Sequence, residues 1–179
     1  SACFALWGIE PIFVKSQRAC CGVTNHYYEP HSLGSDRWAA LIGAHDLELG
    51  DSLVITLGTA STVDVLYNDG NFMGGIIFPG LDLMGNSLSQ ETYALKNFNG
   101  KDSEFPRNTV DAIYSGSMRA TAGAIEAMRL QVLMDRGKSP QLVFSGGNAQ
   151  KVAKHCHKNR SVHDNLVIDG LIRVSRALV

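Results

Sequence analysis

Two neighbouring residues in the stretch "LGSDR" (33–37), Asp36 and Arg37, carry opposite charges at the start of a predicted helix. A carboxylate in a first helical turn meets the positive end of the helix dipole, which is its ordinary structural reading. The same carboxylate aimed out of the helix end into a cleft would position a substrate hydroxyl. A guanidinium beside it can grip a carboxylate or a phosphate with two parallel N–H donors, although a single Arg is more often solvated. Glycine marks two further places. In "LGTAST" (57–62), Gly58 lets the backbone bend sharply and approach a ligand. The N–H groups of residues 58–60 and the hydroxyls of Thr59, Ser61 and Thr62 offer donors for an anion. In "FSGGNA" (144–149), a strand–glycine–helix corner accepts a flat ring against the backbone or a phosphate at the helix start. It has neither dinucleotide-fingerprint nor Walker spacing. Taken singly, each glycine site is more simply a turn or a close-packed corner.

The elements that must hold these residues alternate along the chain. "PIFVKS" (11–16) predicts a short strand, and 22–35 a loop punctuated by Pro30 and Gly34. Residues 35–47 predict a helix that Ser35 can cap, with Trp38, Leu41, Ile42 and His45 on one face. Three β-branched runs follow at 52–57, 61–67 and 72–78, the last two joined by an Asn68–Asn71 hairpin turn. Residues 80–95 predict a helix with Leu81, Met84, Leu88 and Thr92 inward, and 96–108 a polar, mobile loop. A long helix runs from Asn108 to about 135–140, with Val110, Ile113, Ser117, Ala120, Ala124 and Met128 as its inward stripe. Its small residues Gly116, Ala120, Gly123 and Ala124 suit either close packing within the subunit or contact across a two-fold axis. A strand at 141–144, a helix from about 147, a strand near 161–167 and a helix at 169–178 complete the chain. The pattern indicates an α/β fold with a mixed sheet flanked by helices.

The bulk numbers narrow the partners. Of 179 residues, 45% are apolar and 18% charged, enough to bury a core. Sixteen Lys and Arg against 17 Asp and Glu leave no polybasic footprint for nucleic acid or a membrane surface. No apolar run reaches the ~18 residues of a membrane span, and the opening "SACFALWGIEP" lacks the basic start of a signal peptide. Cys3, Cys20, Cys21 and Cys156 show no zinc spacing or disulfide framework, which suits thiols in a reducing cytoplasm.

The order of the pieces carries more than any one of them. "NHYYEPHSLGSDRWAALIGA" (25–44), "LGTASTVDVLYNDGNFMGGIIFPGLDLM" (57–84), "RNTVDAIYSG" (107–116) and "FSGGNA" (144–149) resemble the type III pantothenate kinases, or Bvg accessory factor family. The resemblance spans nearly the whole chain and implies the actin-like ATPase, ribonuclease H-like fold. It implies phosphorylation of pantothenate by ATP and Mg²⁺, the first step toward coenzyme A, by a cytoplasmic homodimer. On it, Gly34, Ser35, Asp36 and Arg37 bind pantothenate and Asp36 accepts its proton. Tyr27 contacts substrate, with Tyr28 as a register alternative. Gly58 and Thr59 meet ATP phosphate, and Gly146 and Gly147 pack on adenosine. Thr109 reaches pantothenate from the partner subunit.

Two departures qualify the resemblance. The family's Asp-x-Gly-Asn-Thr motif does not occur, which leads to the expectation that residues 1–50 are the tail of a first lobe and 51–179 the second. Such a chain is expected to be inactive alone. The aspartate that helps the family bind K⁺ or NH₄⁺ is replaced by Thr56, which offers one neutral oxygen and no charge, so the expectation is a monovalent-cation site weakened or lost. The rival expectation is a non-catalytic regulatory or binding paralogue.

Overall fold

The computed structural model describes residues 6, 8, 10–91 and 100–177. Strands β1 (Ala19–Cys20), β2 (Val23–Asn25), β3 (Ser52–Leu57), β4 (Ala60–Leu66), β5 (Asn71–Pro79), β6 (Gln141–Ser145) and β7 (Arg160–Val162) form one sheet. Its order is β1-β2-β5-β4-β3-β6-β7. β3, β4 and β5 make an antiparallel meander, while β6 runs parallel to β3 and β7 parallel to β6. The helices are α1 (Ser35–His45), α2 (Leu81–Glu91), α3 (Thr109–Arg136), α4 (Ala149–Ala153) and α5 (Leu166–Ala177). This is the mixed α/β class expected from the alternation of patterns. The expected division near residue 50 falls between α1 and β3, and strands from both sides of it build the one sheet.

Alternation along the strands gives the sheet two apolar faces. Leu53, Ile55 and Leu57 of β3 and Leu142 and Phe144 of β6 pack with Met118, Ile125 and Val132 of α3. Val54, Leu66, Phe72 and Val143 face the other way, onto Trp38, Leu41 and Ile42 of α1 and Leu166 and Val174 of α5. α1 and α5 cross so closely that a Cβ on Gly43 or Gly170 would run into the backbone of the other helix. That crossing sets the position of α1, and so of its first turn.

Several local expectations need correction. Residues 11–16 are not a strand: the edge of β2 is taken by β1, and Ser16 is tied by its hydroxyl to Leu33 O at 2.7 Å. The short strand β2 and a 3₁₀ turn at Pro30–Ser32 lie where only loop was expected at 22–35. Ser35 does not cap α1; Gly34 occupies that position and no side chain caps the helix. The inward stripe of α3 is rotated from the expected one: Ser117 is buried as expected, but the stripe otherwise runs through Met118, Thr121, Ile125, Arg129 and Val132, with Ala120 exposed. Asn108 does start this helix, accepting the Asp111 N–H at 2.8 Å, and Gly137 ends it at φ 68°. Leu88 is exposed rather than inward, and Thr92 lies outside the described residues. The strand expected near 161–167 is only three residues long.

Candidate active site

The first turn of α1 lies near the C-terminal end of β3, an interior strand of the sheet. Gly34 accepts the Trp38 N–H at 2.9 Å, and a Cβ there would lie 2.6 Å from Asp36 Oδ1. Asp36 is exposed and accepts the Arg37 N–H at 2.8 Å, so its carboxylate sits over the helix start. Ser35 is exposed beside it.

Arg37 turns the other way and is buried. Its Nε donates to Asp64 Oδ2 at 3.1 Å, its Nη2 to Asp64 Oδ1, and its Nη1 to the Tyr27 hydroxyl at 3.0 Å. Tyr27 itself packs on Phe72 with ring centroids 5.3 Å apart. Tyr28 is fully exposed, so Tyr27 is the tyrosine beside Arg37. Burial pushes the Asp64 carboxyl above its ordinary value, against the pull of Arg37. Burial also acts against the Arg37 charge, but Asp64 and then Tyr27 outweigh it and hold the guanidinium above its ordinary value. Two N–H donors on two carboxylate oxygens is the geometry of the charged pair.

Across from α1, Gly58 and Thr59 form the β3–β4 turn. A cavity of about 360 Å³ is lined by both sides: Asp36, Arg37 and Val167 from one, Thr56, Gly58, Thr59, Ala60 and Thr62 from the other. The expected anion concavity is only partly available, because the Gly58 N–H already donates to Ala60 O at 3.1 Å. Ser61 is buried and, by strand alternation, shares the face of Val63 and Val65, away from the cavity.

Gly146 and Gly147 follow β6, whose Ser145 is paired with Thr56. Gly146 has φ +96°, and a Cβ there would lie 2.6 Å from Leu57 O, so the corner presses on the end of β3. Gly147 has open space where its side chain would be. Asn148 fixes the corner, donating from its N–H to Leu57 O at 3.2 Å and from its side chain to Asp82 at 3.2 Å. The Gly-Gly corner therefore neighbours the β3–β4 turn.

Thr109 is not brought to this cavity. It lines a separate, largely apolar groove of about 480 Å³ between α2 and α3, with Met84, Ile113, Gly116 and Ala120 among its walls. A larger cavity of about 650 Å³ opens at the far end of α1 around His45, but its cation, Arg173, is paired with Asp46. Among the described residues no cluster of three His, Cys, Asp or Glu side chains is placed to hold a metal ion, and no helix is long and apolar enough to cross a membrane.

Sequence reasoning missed Asp64. Its signal was a lone acidic residue inside the strand "STVDVL", where a charge has to find a partner to be buried.

A family model described as type III pantothenate kinase matches residues 1–131. The type III pantothenate kinase of Nitrosospira multiformis is 44% identical over 98% of this chain and 67% of its own length. That of Laribacter hongkongensis is 39% identical over 98% of this chain and 74% of its own. A solved Baf-family structure from Campylobacter jejuni, described as a transcriptional activator, has a TM-score of 0.62 at 24% identity. It covers 88% of this chain and 69% of its own, and the likeness is one of fold. The cavity between the Gly-Ser-Asp-Arg turn and the Gly-Thr-Ala turn falls wholly within the matched residues apart from Val167. The chain belongs to the type III pantothenate kinase family.

Proposed function

We propose that this chain binds pantothenate between α1 and the β3–β4 turn and takes part in its phosphorylation to 4′-phosphopantothenate, in the cytoplasm. The observation that carries the reading is the single cavity that Asp36 and Arg37 line together with Gly58 and Thr59. Phosphoryl transfer asks a protein mainly for alignment and for neutralisation of developing charge. Asp36, exposed at the cavity, orients the primary hydroxyl of pantothenate and takes its proton late in the transfer. Arg37, held by Tyr27, meets the carboxylate at the other end of the substrate. Gly34 and Ser35 form the backbone against which the substrate lies. ATP supplies the phosphoryl group and Mg²⁺ offsets the charge of its triphosphate. The Thr59 hydroxyl faces those phosphates, Gly58 leaves room for their approach, and the open surface at Gly147, beside Gly146, accepts the adenosine. Thr56 contributes a neutral hydroxyl where a monovalent cation would need charge, so K⁺ or NH₄⁺ has little purchase.

A homodimer is part of the same reading. Thr109 opens onto the α2–α3 groove, and a second copy packed there would bring it to its neighbour's pantothenate.

Calorimetric titration tests the reading. Pantothenate is expected to bind saturably to the wild-type chain, with the affinity unchanged when Na⁺ replaces K⁺, and to lose that affinity in Arg37→Ala. No heat at millimolar pantothenate would instead support a non-catalytic paralogue.

A further inference from the structure

Asp64 is a buried carboxylate in the middle of β4, directly opposite Gly75 of β5. A Cβ at Gly75 would run into that carboxylate and into Val63 O, so the neighbouring strand leaves room for the acid. Both of its oxygens go to Arg37, one to Nε and one to Nη2, while the Tyr27 hydroxyl takes Nη1. A guanidinium has five N–H groups. Three are committed in this way, and Nη1 and Nη2 keep one each.

Holding α1 to the sheet does not require this pair. The helix is already fixed by its close crossing with α5 and by buried Trp38, Leu41 and Ile42, and an apolar contact would tie a helix as well as a buried ion pair does. What the pair determines is the plane of the guanidinium. Its charge also cancels that of Arg37, so attraction for an anion depends on directed N–H donors rather than on net charge.

We infer that Asp64 is a positioning residue for recognition of the substrate carboxylate: it clamps Arg37 side-on, with Tyr27 as a second brace, so that the remaining N–H donors serve the cavity lined by Asp36 and Thr59. The inference rests on the proposed pantothenate site. It makes Arg37 irreplaceable by Lys, whose ammonium cannot meet Asp64, Tyr27 and a carboxylate in fixed directions at once.

The test compares two ligands by calorimetry: pantothenate, and its analogue with a primary alcohol in place of the carboxylate. In Asp64→Asn, which uncovers the Arg37 charge but frees the guanidinium plane to turn, the ratio of the two affinities is expected to shrink by about tenfold, the loss of one well-aligned charge-assisted hydrogen bond outweighing the uncovered charge. A ratio that grew would overturn the inference. The alcohol should bind the variant nearly as well as it binds the wild type. A residue that merely supported the fold would weaken both ligands together and leave the ratio unchanged, and that result would overturn the inference. Should Asp64→Asn fail to fold by circular dichroism, Tyr27→Phe decides: it removes the second brace and is expected to lower the same ratio by about threefold, an unchanged ratio again overturning the inference. If the wild-type chain binds neither ligand, the pantothenate reading falls and the positioning role with it. If it binds both and the ratio does not move, only the positioning role falls.

Discussion

Two carboxylates touch Arg37, and their surroundings separate their roles. Asp36 accepts the backbone N–H of Arg37 from an exposed position at the cavity, whereas Asp64 is buried and takes the guanidinium. An exposed carboxylate with a free oxygen can approach a substrate hydroxyl; a buried one with both oxygens engaged can only orient its partner. Asp36→Asn keeps the size and the acceptor oxygen of the side chain but cannot take up a proton. In a coupled ADP-release assay with pantothenate and MgATP, any turnover is expected to fall by about 10²–10⁴-fold in this variant, with pantothenate affinity held within a few-fold. A variant that turned over at the wild-type rate would remove Asp36 from the proton path.

At the scale of elements, the site depends on where α1 starts, and that is set by its crossing with α5. Adding one methyl at Gly170 pushes against Ala39 O in the backbone of α1, where no side-chain rotation relieves the overlap. Gly170→Ala is therefore expected to destabilise the fold by about 1–3 kcal/mol, read as a lower urea midpoint. Neither glycine of this crossing stood out in the sequence, because helix contacts between distant segments leave no local pattern. What was legible had one. The β-branched runs of the meander, with an Asn-Asp-Gly-Asn turn between the last two, placed β3, β4 and β5 within one residue at each end. β1 and β2, two and three residues long, are too short to show an alternation. The stripe of α3 was misphased because Ala, Gly and Ser lie on all of its faces, so apolar contrast is weak where the helix is most regular.

For the whole molecule, the pairing of Asp36 with Gly58 across one cavity was legible from the order of motifs, and Asp64 beneath it was not. On the proposed reading, Thr109 is the site residue that one copy of the chain leaves away from its own cavity. α3 packs on the sheet face opposite α1, so residues of its first turn cannot line the cavity of their own subunit. The α2–α3 groove offers the apolar walls of an isologous contact, in which the same patch meets itself about a two-fold axis. Ala120 is exposed in that groove, and Glu is a good helix former, so Ala120→Glu should leave the folded subunit within about 0.5 kcal/mol of wild type. In a dimer the same change buries two like charges close together. Sedimentation is then expected to show a dimer for the wild type and a monomer for Ala120→Glu, with pantothenate affinity reduced in the monomer because the neighbour's Thr109 is lost. A wild-type chain that sediments as a monomer and binds pantothenate fully would confine the site to one subunit and leave Thr109 outside it.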